Sequence, residues 1–338
     1  MNMISYRALT SADKQEAMEI WELRFHDSLS FIDWYFRARF STETSFCAEV
    51  NGRIVSIAHG SPMQLRIRGQ IFPAMMVSGV ATLPGYEGKG IMKRVMFELF
   101  DNCRKMQIPL AFHTPSHFSI YRQLGEFPCA NALLFTQTAE PARPPVWDEV
   151  PSARELLSVY ERATMRYSGN VVRSEEQMQS RIDDLLCDGG RCMTVRENDA
   201  LTGYLFASFE EEGLHCEEAL AVSKEAYQTL LSRLPQGTTV KLPPDTNVPG
   251  NLYPQGVVIP IDVRYLLKAL CGRPDALKLE VFDEALPWNN GVFDGAGNRV
   301  SGSSPDFLSA GRLMQFLCGY LPYRDVFSQE VCYCVDEY

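Results

Sequence analysis

The stretch from Val77 to Met106, V-S-G-V-A-T-L-P-G-Y-E-G-K-G-I-M-K-R-V-M-F-E-L-F-D-N-C-R-K-M, constrains this chain most, because an apolar run breaks at a glycine loop that opens at once into an amphipathic helix. Val77, Val80 and Ala81 read as a mostly buried strand that Pro84-Gly85 ends. Gly88 and Gly90 let the backbone approach a ligand with no side chain between. Ile91, Met92, Val95, Met96, Leu99, Phe100 and Cys103 then recur on one helical face, with Lys93, Arg94, Glu98 and Asp101 largely opposite. The amides of Glu87, Gly88, Lys89, Gly90 and Ile91 therefore converge at a helix N-terminus, where the dipole also favours an anion such as a pyrophosphate.

Spacing separates the phosphate loops that compete for this stretch. A Walker A loop needs Ser or Thr after its Lys, but Gly90 follows Lys89; a dinucleotide fingerprint needs a third Gly where Lys93 stands. What remains, G-Y-E-G-K-G, resembles motif A of the GNAT acetyltransferases, Q/R-x-x-G-x-G/A, with Gly85 at the position of the usual Gln or Arg. A glycine-rich turn without a ligand is the alternative for the loop taken alone.

At 338 residues the chain suggests two or three domains, and 46% hydrophobic with 22% charged residues is an ordinary globular composition. No apolar run reaches the length of a membrane span and the first residues have no signal-peptide pattern, so the chain reads as cytosolic, with no membrane partner. The net charge of −10 argues against nucleic acid and is compatible with a cationic substrate. Ten cysteines, mostly at apolar positions, read as buried thiols, and Cys332-x-Cys334 lacks partners at ligand spacing, so no metal is expected.

Read in order, the chain gives a strand (4–8), a helix from Ser11 to about Phe25, a second helix over 31–40, and strands over 45–50 and 53–58 around an Asn51-Gly52 turn. A second hairpin follows at Arg68-Gly69. After the central helix come a strand (108–112), a short helix from Ser116 to Leu124 stopped by Gly125, and a strand (132–138). This is the element order of the GNAT fold. Prolines at 141–147 mark a boundary. Beyond it two helices (153–165, 174–186), three strands (191–195, 201–209, 214–220), a helix (224–234) and a strand (238–242) partly repeat that order. Val222 there runs into a Ser-capped helix with no glycine cradle. A third segment holds a strand (256–262), a helix (263–270), strands over 278–282, 291–293 and 299–300, a helix (307–318) introduced by Ser304-Pro305, and a closing alternating stretch, V-C-Y-C-V-D-E-Y.

The S-G-V-A-T strand, the glycine loop, P-S-H-F-S-I-Y-R-Q-L-G, the degenerate second half and the closing module with I-D-V-R-Y-L-L together resemble the enhanced-intracellular-survival (Eis) acetyltransferase family, over the whole chain. The resemblance implies an α/β fold of mixed sheets. It divides the chain into a GNAT domain (1–142) that binds acetyl-CoA, a degenerate GNAT-like domain (146–245) and a sterol-carrier-protein-like domain (250–338). It further implies that Tyr121 is the general acid and that the carboxylate of Tyr338 reaches back into the active site. Members of the family acetylate amines, so the expected partner is a small amine, aminoglycoside- or polyamine-like; a homo-oligomer stays open.

The chemistry assigns roles to named residues. Backbone groups of Val80, Ala81 and Thr82 can hold a pantetheine arm as a strand-like partner, with the loop from Glu87 to Ile91 on the pyrophosphate. A tyrosine hydroxyl stays protonated at neutral pH and can donate to a departing thiolate, although an aromatic packed on its helix is the plainer account of Tyr121. Ser116 supports the cofactor or caps the short helix. His113 and His117 are candidates for the base, and the Tyr338 carboxylate positions the amine. Asp27 and Trp34, on helices that wall the amine side in GNAT folds, are substrate candidates, with helix surface and core as their plainer roles. The rival class is a non-catalytic protein that senses acetyl-CoA or carries a lipid.

Overall fold

The computed structural model describes residues 4–210, 213–334 and 336. Two tight turns set the first sheet. Asn51-Gly52 (φ 52° and 79°) joins β2 (Ser45–Val50) to β3 (Arg53–Ile67), and Arg68-Gly69 (φ 49° and 74°) joins β3 to β4 (Gln70–Thr82). Positive φ at both central positions gives a turn whose twist matches its antiparallel strands. With β1 (Ile4–Ala8), β5 (Leu110–His113) and the later strands β6 (Asn131–Thr136), β7 (Asn170–Val171), β8 (Arg191–Glu197), β9 (Ala200–Glu210), β10 (Gly213–Ala221), β11 (Thr239–Leu242), β12 (Asn251–Pro254) and β13 (Val257–Pro260), two large mixed sheets form. The first has the order β1-β2-β3-β4-β5-β13, with β7 on the distal part of β3; the second is β12-β6-β11-β10-β9-β8. A three-stranded sheet, β15-β14-β16, is built from β14 (Lys278–Phe282), β15 (Gly291–Asp294) and β16 (Phe307–Ser309).

Helices cover both faces of the first sheet. On one face α3 (Ile91–Lys105) buries Ile91, Val95, Met96, Leu99, Phe100 and Cys103 against Ala48, Val55, Ala58 and Val77. On the other, α1 (Lys14–Phe25) and α2 (Leu29–Ala38) pack Trp21, Ile32 and Tyr35 on Cys47, Ile57 and Ala81. Farther along that second face, α8 (Val263–Leu270) and α9 (Ala310–Cys318) take over, with Leu266, Leu313 and Met314 on Leu65, Phe72 and Leu110. Between these sit the short α4 (Phe118–Tyr121), the pair α5 (Ala153–Thr164) and α6 (Glu175–Cys187) on one face of the second sheet, and α7 (Lys224–Leu231) on its other face.

The structure departs from the sequence expectations in places that share a cause, pairing between distant segments. β6, expected to close the first sheet, pairs with β11 and β12 in the second, and β13 takes its place beside β5. β13 ends the strand order, yet its V-V-I-P run is buried at all four positions, because Val258 packs in the α8–α9 core on one face and Val257 and Ile259 in the α3 core on the other. Phe307–Ser309 is a strand and not the start of a helix; α9 begins at Ala310, capped by the Ser309 hydroxyl. Arg299 makes one isolated bridge to Phe293 in place of a strand. The closing stretch forms no strand among its described residues. Cys332, Tyr333 and Cys334 are buried in succession, so no two-faced alternation exists, and the segment is held by backbone bonds to Asn131 and Ser168. The first helical turn is capped by Thr10, not Ser11, through a reciprocal box with Asp13.

All ten cysteines are free and eight are buried; burial pushes even the less enclosed Cys187 thiol up to about 11. No helix among the described residues is long and apolar enough to cross a membrane.

Candidate active site

β4 and β5 pair in parallel only from Ala74/Leu110 to Met76/Phe112. Beyond Met76, β4 continues to Thr82 bonded on its β3 side, so its other edge offers amides and carbonyls to a strand-like ligand. The same stretch is bulged. His59 pairs with Ser78 but Ile57 with Ala81, which leaves one extra residue on β4. Gly79, with φ 58°, sits in this bulge, and a Cβ there would lie 2.1 Å from the Trp21 ring, so only glycine fits. Val80 and Thr82 are half-buried and Ala81 is buried.

The loop beyond is an open cradle. Gly85, Gly88 and Gly90 have φ of 83°, 71° and 74°, and a Cβ built on any of them meets no atom within 4 Å. Gly90 is the N-cap of α3, so the first amides of that helix face this exposed loop. Lys89 donates to the Gly85 carbonyl at 2.6 Å, and Glu87 pairs with Arg24 of α1 at 2.6 Å, tying the loop's side chains back from the cradle. The open glycine positions and the helix N-terminus fit the pyrophosphate of acetyl-CoA. Gly90→Val would strain a positive-φ position and put a branched side chain into the open space. Affinity for acetyl-CoA is expected to fall about tenfold or more, the scale of losing one or two charge-assisted hydrogen bonds, and calorimetry on the folded variant checks it.

Tyr121 ends α4 and packs on the α3-face core that also holds Val77 and Val80 of β4. Its ring lies 4.4 Å from that of His113, and burial, with the Glu126 carboxylate adding, holds its phenol well above the ordinary value. It therefore keeps its proton across the working pH range. His113 caps β5 opposite Val257, and its Nε2 meets Glu126 Oε2 at 2.6 Å, both side chains being 4% exposed. Glu126 was not picked out from the sequence; the signal was an acid between Leu124 and Phe127-Pro128, in an apolar stretch with no solvent-facing period.

The remaining candidates are not all gathered here. Ser116 is exposed and precedes the N-cap, which is His117, so it does not cap α4. His117 is exposed as well. Asp27 accepts a bond from the Trp21 indole at 2.7 Å, and Trp34 is buried in the core between α1, α2 and the sheet. Tyr338 lies outside the described residues. Beneath β4, Ser78 and the Tyr35 hydroxyl are 2.6 Å apart, next to His59, whose imidazole burial pushes down to about 3, so it is neutral there.

The second sheet repeats the opening without the cradle. β10 and β11 pair in parallel only at His215/Thr239 and Cys216/Val240, and α7 follows β10 through a Ser223 cap. Two residues past the last pair stands Glu218, buried and bound by Arg173 through two bonds of 2.8 and 2.9 Å. A salt bridge occupies the region where the first sheet keeps a free edge.

Residues 5–128, which hold the half-open parallel pair, bulge and glycine cradle, match the acetyltransferase (GNAT) domain family. The protein is an acetyltransferase of the GNAT type. Over nearly its whole length its fold is that of Eis1 from Mycobacterium abscessus, with TM-score 0.74, 18% identity, and 99% of this chain and 100% of that one covered. Similar folds are a GCN5-related N-acetyltransferase from Anabaena variabilis (TM-score 0.79, 16% identity, 99% and 100% covered) and one from Kribbella flavida (0.73, 17%, 99% and 100%). No curated protein sequence matches the chain significantly.

Proposed function

We propose that this acetyltransferase moves the acetyl group of acetyl-CoA to a primary amine of a small cationic acceptor, aminoglycoside- or polyamine-like, by direct transfer. The observation that carries this is the unpaired β4 edge running into the open Gly88/Gly90 cradle, with Tyr121 on the core that also holds Val80. Acetyl-CoA supplies the activated acyl group. Val80, Ala81 and Thr82 align it along β4, the loop amides hold the pyrophosphate, and Tyr121 donates a proton to the departing thiolate. The acceptor enters from the α1–α2 side, where the net charge of −10 favours a cation. Ser116 borders the cofactor, and Trp34 on α2 and Asp27, which lies in the link between α1 and α2 and not on a helix, belong to the side that walls the acceptor.

The division into units 1–142, 146–245 and 250–338, the last sterol-carrier-like, is part of the same proposal, as is a role for the Tyr338 carboxylate in holding the ammonium. Support for the latter is the anchoring of Asp336 by Arg173, which fixes the segment leading to it. Appending a short polar tail after Tyr338 is expected to lower acetylation at least tenfold with the melting transition in place, and full activity would remove Tyr338 from the site. The function is tested by thiol release on mixing the protein with acetyl-CoA and a panel of aminoglycosides and polyamines. Binding of acetyl-CoA without thiol release from any of them marks a sensor.

A further inference from the structure

Behind Tyr121 lies the buried His113–Glu126 pair, which the proposed acetyl transfer leaves unused. Which side of the sheet it serves follows from strand register. His113 pairs directly with Val257, and Val257 packs in the α3-face core with Ala111, Leu124 and the Tyr121 ring. Residues directly opposite in an antiparallel pair point to one face, so the imidazole shares the face of Tyr121, the leaving-thiolate side, away from α1 and α2. A base for the incoming amine belongs on the other side.

The pair also has an outer end. Glu126 Oε2 meets the imidazole, while Oε1 has no hydrogen-bond partner among the described residues although the side chain is 4% exposed. Glu126 borders a cavity of about 250 Å³ between the first sheet and the three-stranded unit, also lined by Arg122, Asp283, Glu284, Leu286 and Gly311. A buried carboxylate oxygen without a donor carries a desolvation cost that a structural role leaves unexplained.

We infer that His113 and Glu126 form a proton feed that resupplies Tyr121 from this cavity. The inference rests on the proposed role of Tyr121 as the acid. In the sequence of transfers, the Tyr121 O–H bond breaks as the proton passes to the thiolate sulfur. The phenolate then takes a proton from the His113 imidazolium, and the neutral imidazole is reprotonated from the cavity by way of Glu126. The two protons shed by the acceptor ammonium leave on its own side, so one proton is released per turnover. Glu126 reaches the reacting atoms only through His113 and is a positioning residue; its carboxylate holds the ring and passes the cavity proton to it.

The charged and titratable groups around the pair come from four parts of the chain: Tyr121 of α4, Arg122 and Glu126 after it, Asp283 and Glu284 after β14, and Lys93 of α3, which meets Glu284 at 2.7 Å. Burial, with Glu126 among the lesser causes, pushes the Asp283 carboxyl up, as expected where carboxyls share one cavity.

The test is a double-mutant cycle of Tyr121→Phe and Glu126→Gln, each variant checked by thermal unfolding. Glu126→Gln alone is expected to lower kcat about tenfold with the KM for acetyl-CoA unchanged. In the Tyr121→Phe background the same change is expected to cost less than about twofold, because the residue it serves is gone. Multiplying losses, or an unchanged kcat in Glu126→Gln, overturns the inference. If wild type releases no thiol, or Tyr121→Phe is fully active, it is the proposed function or the acid that fails, and the two failures are told apart. Should Glu126→Gln not fold, His113→Gln is read in the same cycle. A readout without acetyl-CoA is the nitrogen-15 imidazole spectrum of the unliganded protein. A strongly downfield His113 Nε2–H resonance that disappears in Glu126→Gln supports the pair, and its absence in wild type overturns it.

Discussion

Tyr121→Phe is expected to lower turnover about 100-fold while leaving affinity for acetyl-CoA within about twofold. The substitution keeps the ring that packs 4.4 Å from His113 and removes only the hydroxyl. The binding contacts proposed above sit elsewhere, on the β4 edge and the glycine cradle, so the substitution leaves them untouched. A phenol held above its ordinary range by burial and by Glu126 is a donor whose proton is present throughout the working pH range, so the loss should be about equal at neutral and mildly alkaline pH. The measurement is single-turnover thiol release, where chemistry limits the rate, paired with calorimetry. A Phe variant with wild-type turnover removes Tyr121 from the mechanism.

Local periodicity carried most of what was legible in the sequence. The buried face of α3, Ile91 through Cys103, and the Asn51-Gly52 turn were readable because helix packing and turn geometry depend on neighbours a few residues away. The glycine cradle was readable for the same reason, since positive φ at Gly85, Gly88 and Gly90 leaves a chemical mark on each position. Strand placement was not. β6 and β13 are both short apolar strands, and which one lies against β5 depends on a pairing between residues more than a hundred positions apart, to which no local pattern points. The site split along the same line. Tyr121 belonged to a motif, but its neighbours His113 and Glu126 came together through a strand end and a loop after α4, and the long-range partners of Glu126, around Asp283, carry no spacing signal. Asp27 and Trp34 illustrate the converse: residue type suggested a ligand, while the structure has the Trp21 indole on one and core packing around the other.

Arg173 supports the largest expected change in stability. Its guanidinium is 2% exposed and bonds Glu218 twice and Asp336 once, at 2.8, 2.9 and 3.0 Å, while lying 4.2 Å from the centroid of the Tyr160 ring. It thereby joins three parts of the chain: the segment after β7 that extends the first sheet, β10 of the second, and the closing stretch. Replacing it with Met keeps most of the volume and leaves two buried carboxylates without their cation. Breaking a buried pair in this way costs about 3–5 kcal/mol, more than any surface ion pair here contributes. Burial alone would push the Glu218 carboxyl up, but Arg173, with Arg181 and Tyr204, outweighs it and brings the group down to about 2. A depressed carboxyl contributes stability that is complete above its unfolded value, near 4.3, and is lost as pH falls toward 2. Wild type should therefore hold its second sheet down to low pH. Without Arg173 the larger depressing charge is gone and Arg181, 3.4 Å from Glu218, remains, so Glu218 takes up a proton at higher pH and the acid transition moves up with it. Denaturant melts at neutral pH and an acid titration followed by circular dichroism measure both effects. An Arg173→Met protein that melts within about 1 kcal/mol of wild type would show that neither carboxylate depends on the guanidinium. Adding Glu218→Gln and Asp336→Asn to Arg173→Met should recover part of the loss, because uncompensated charge is its largest source.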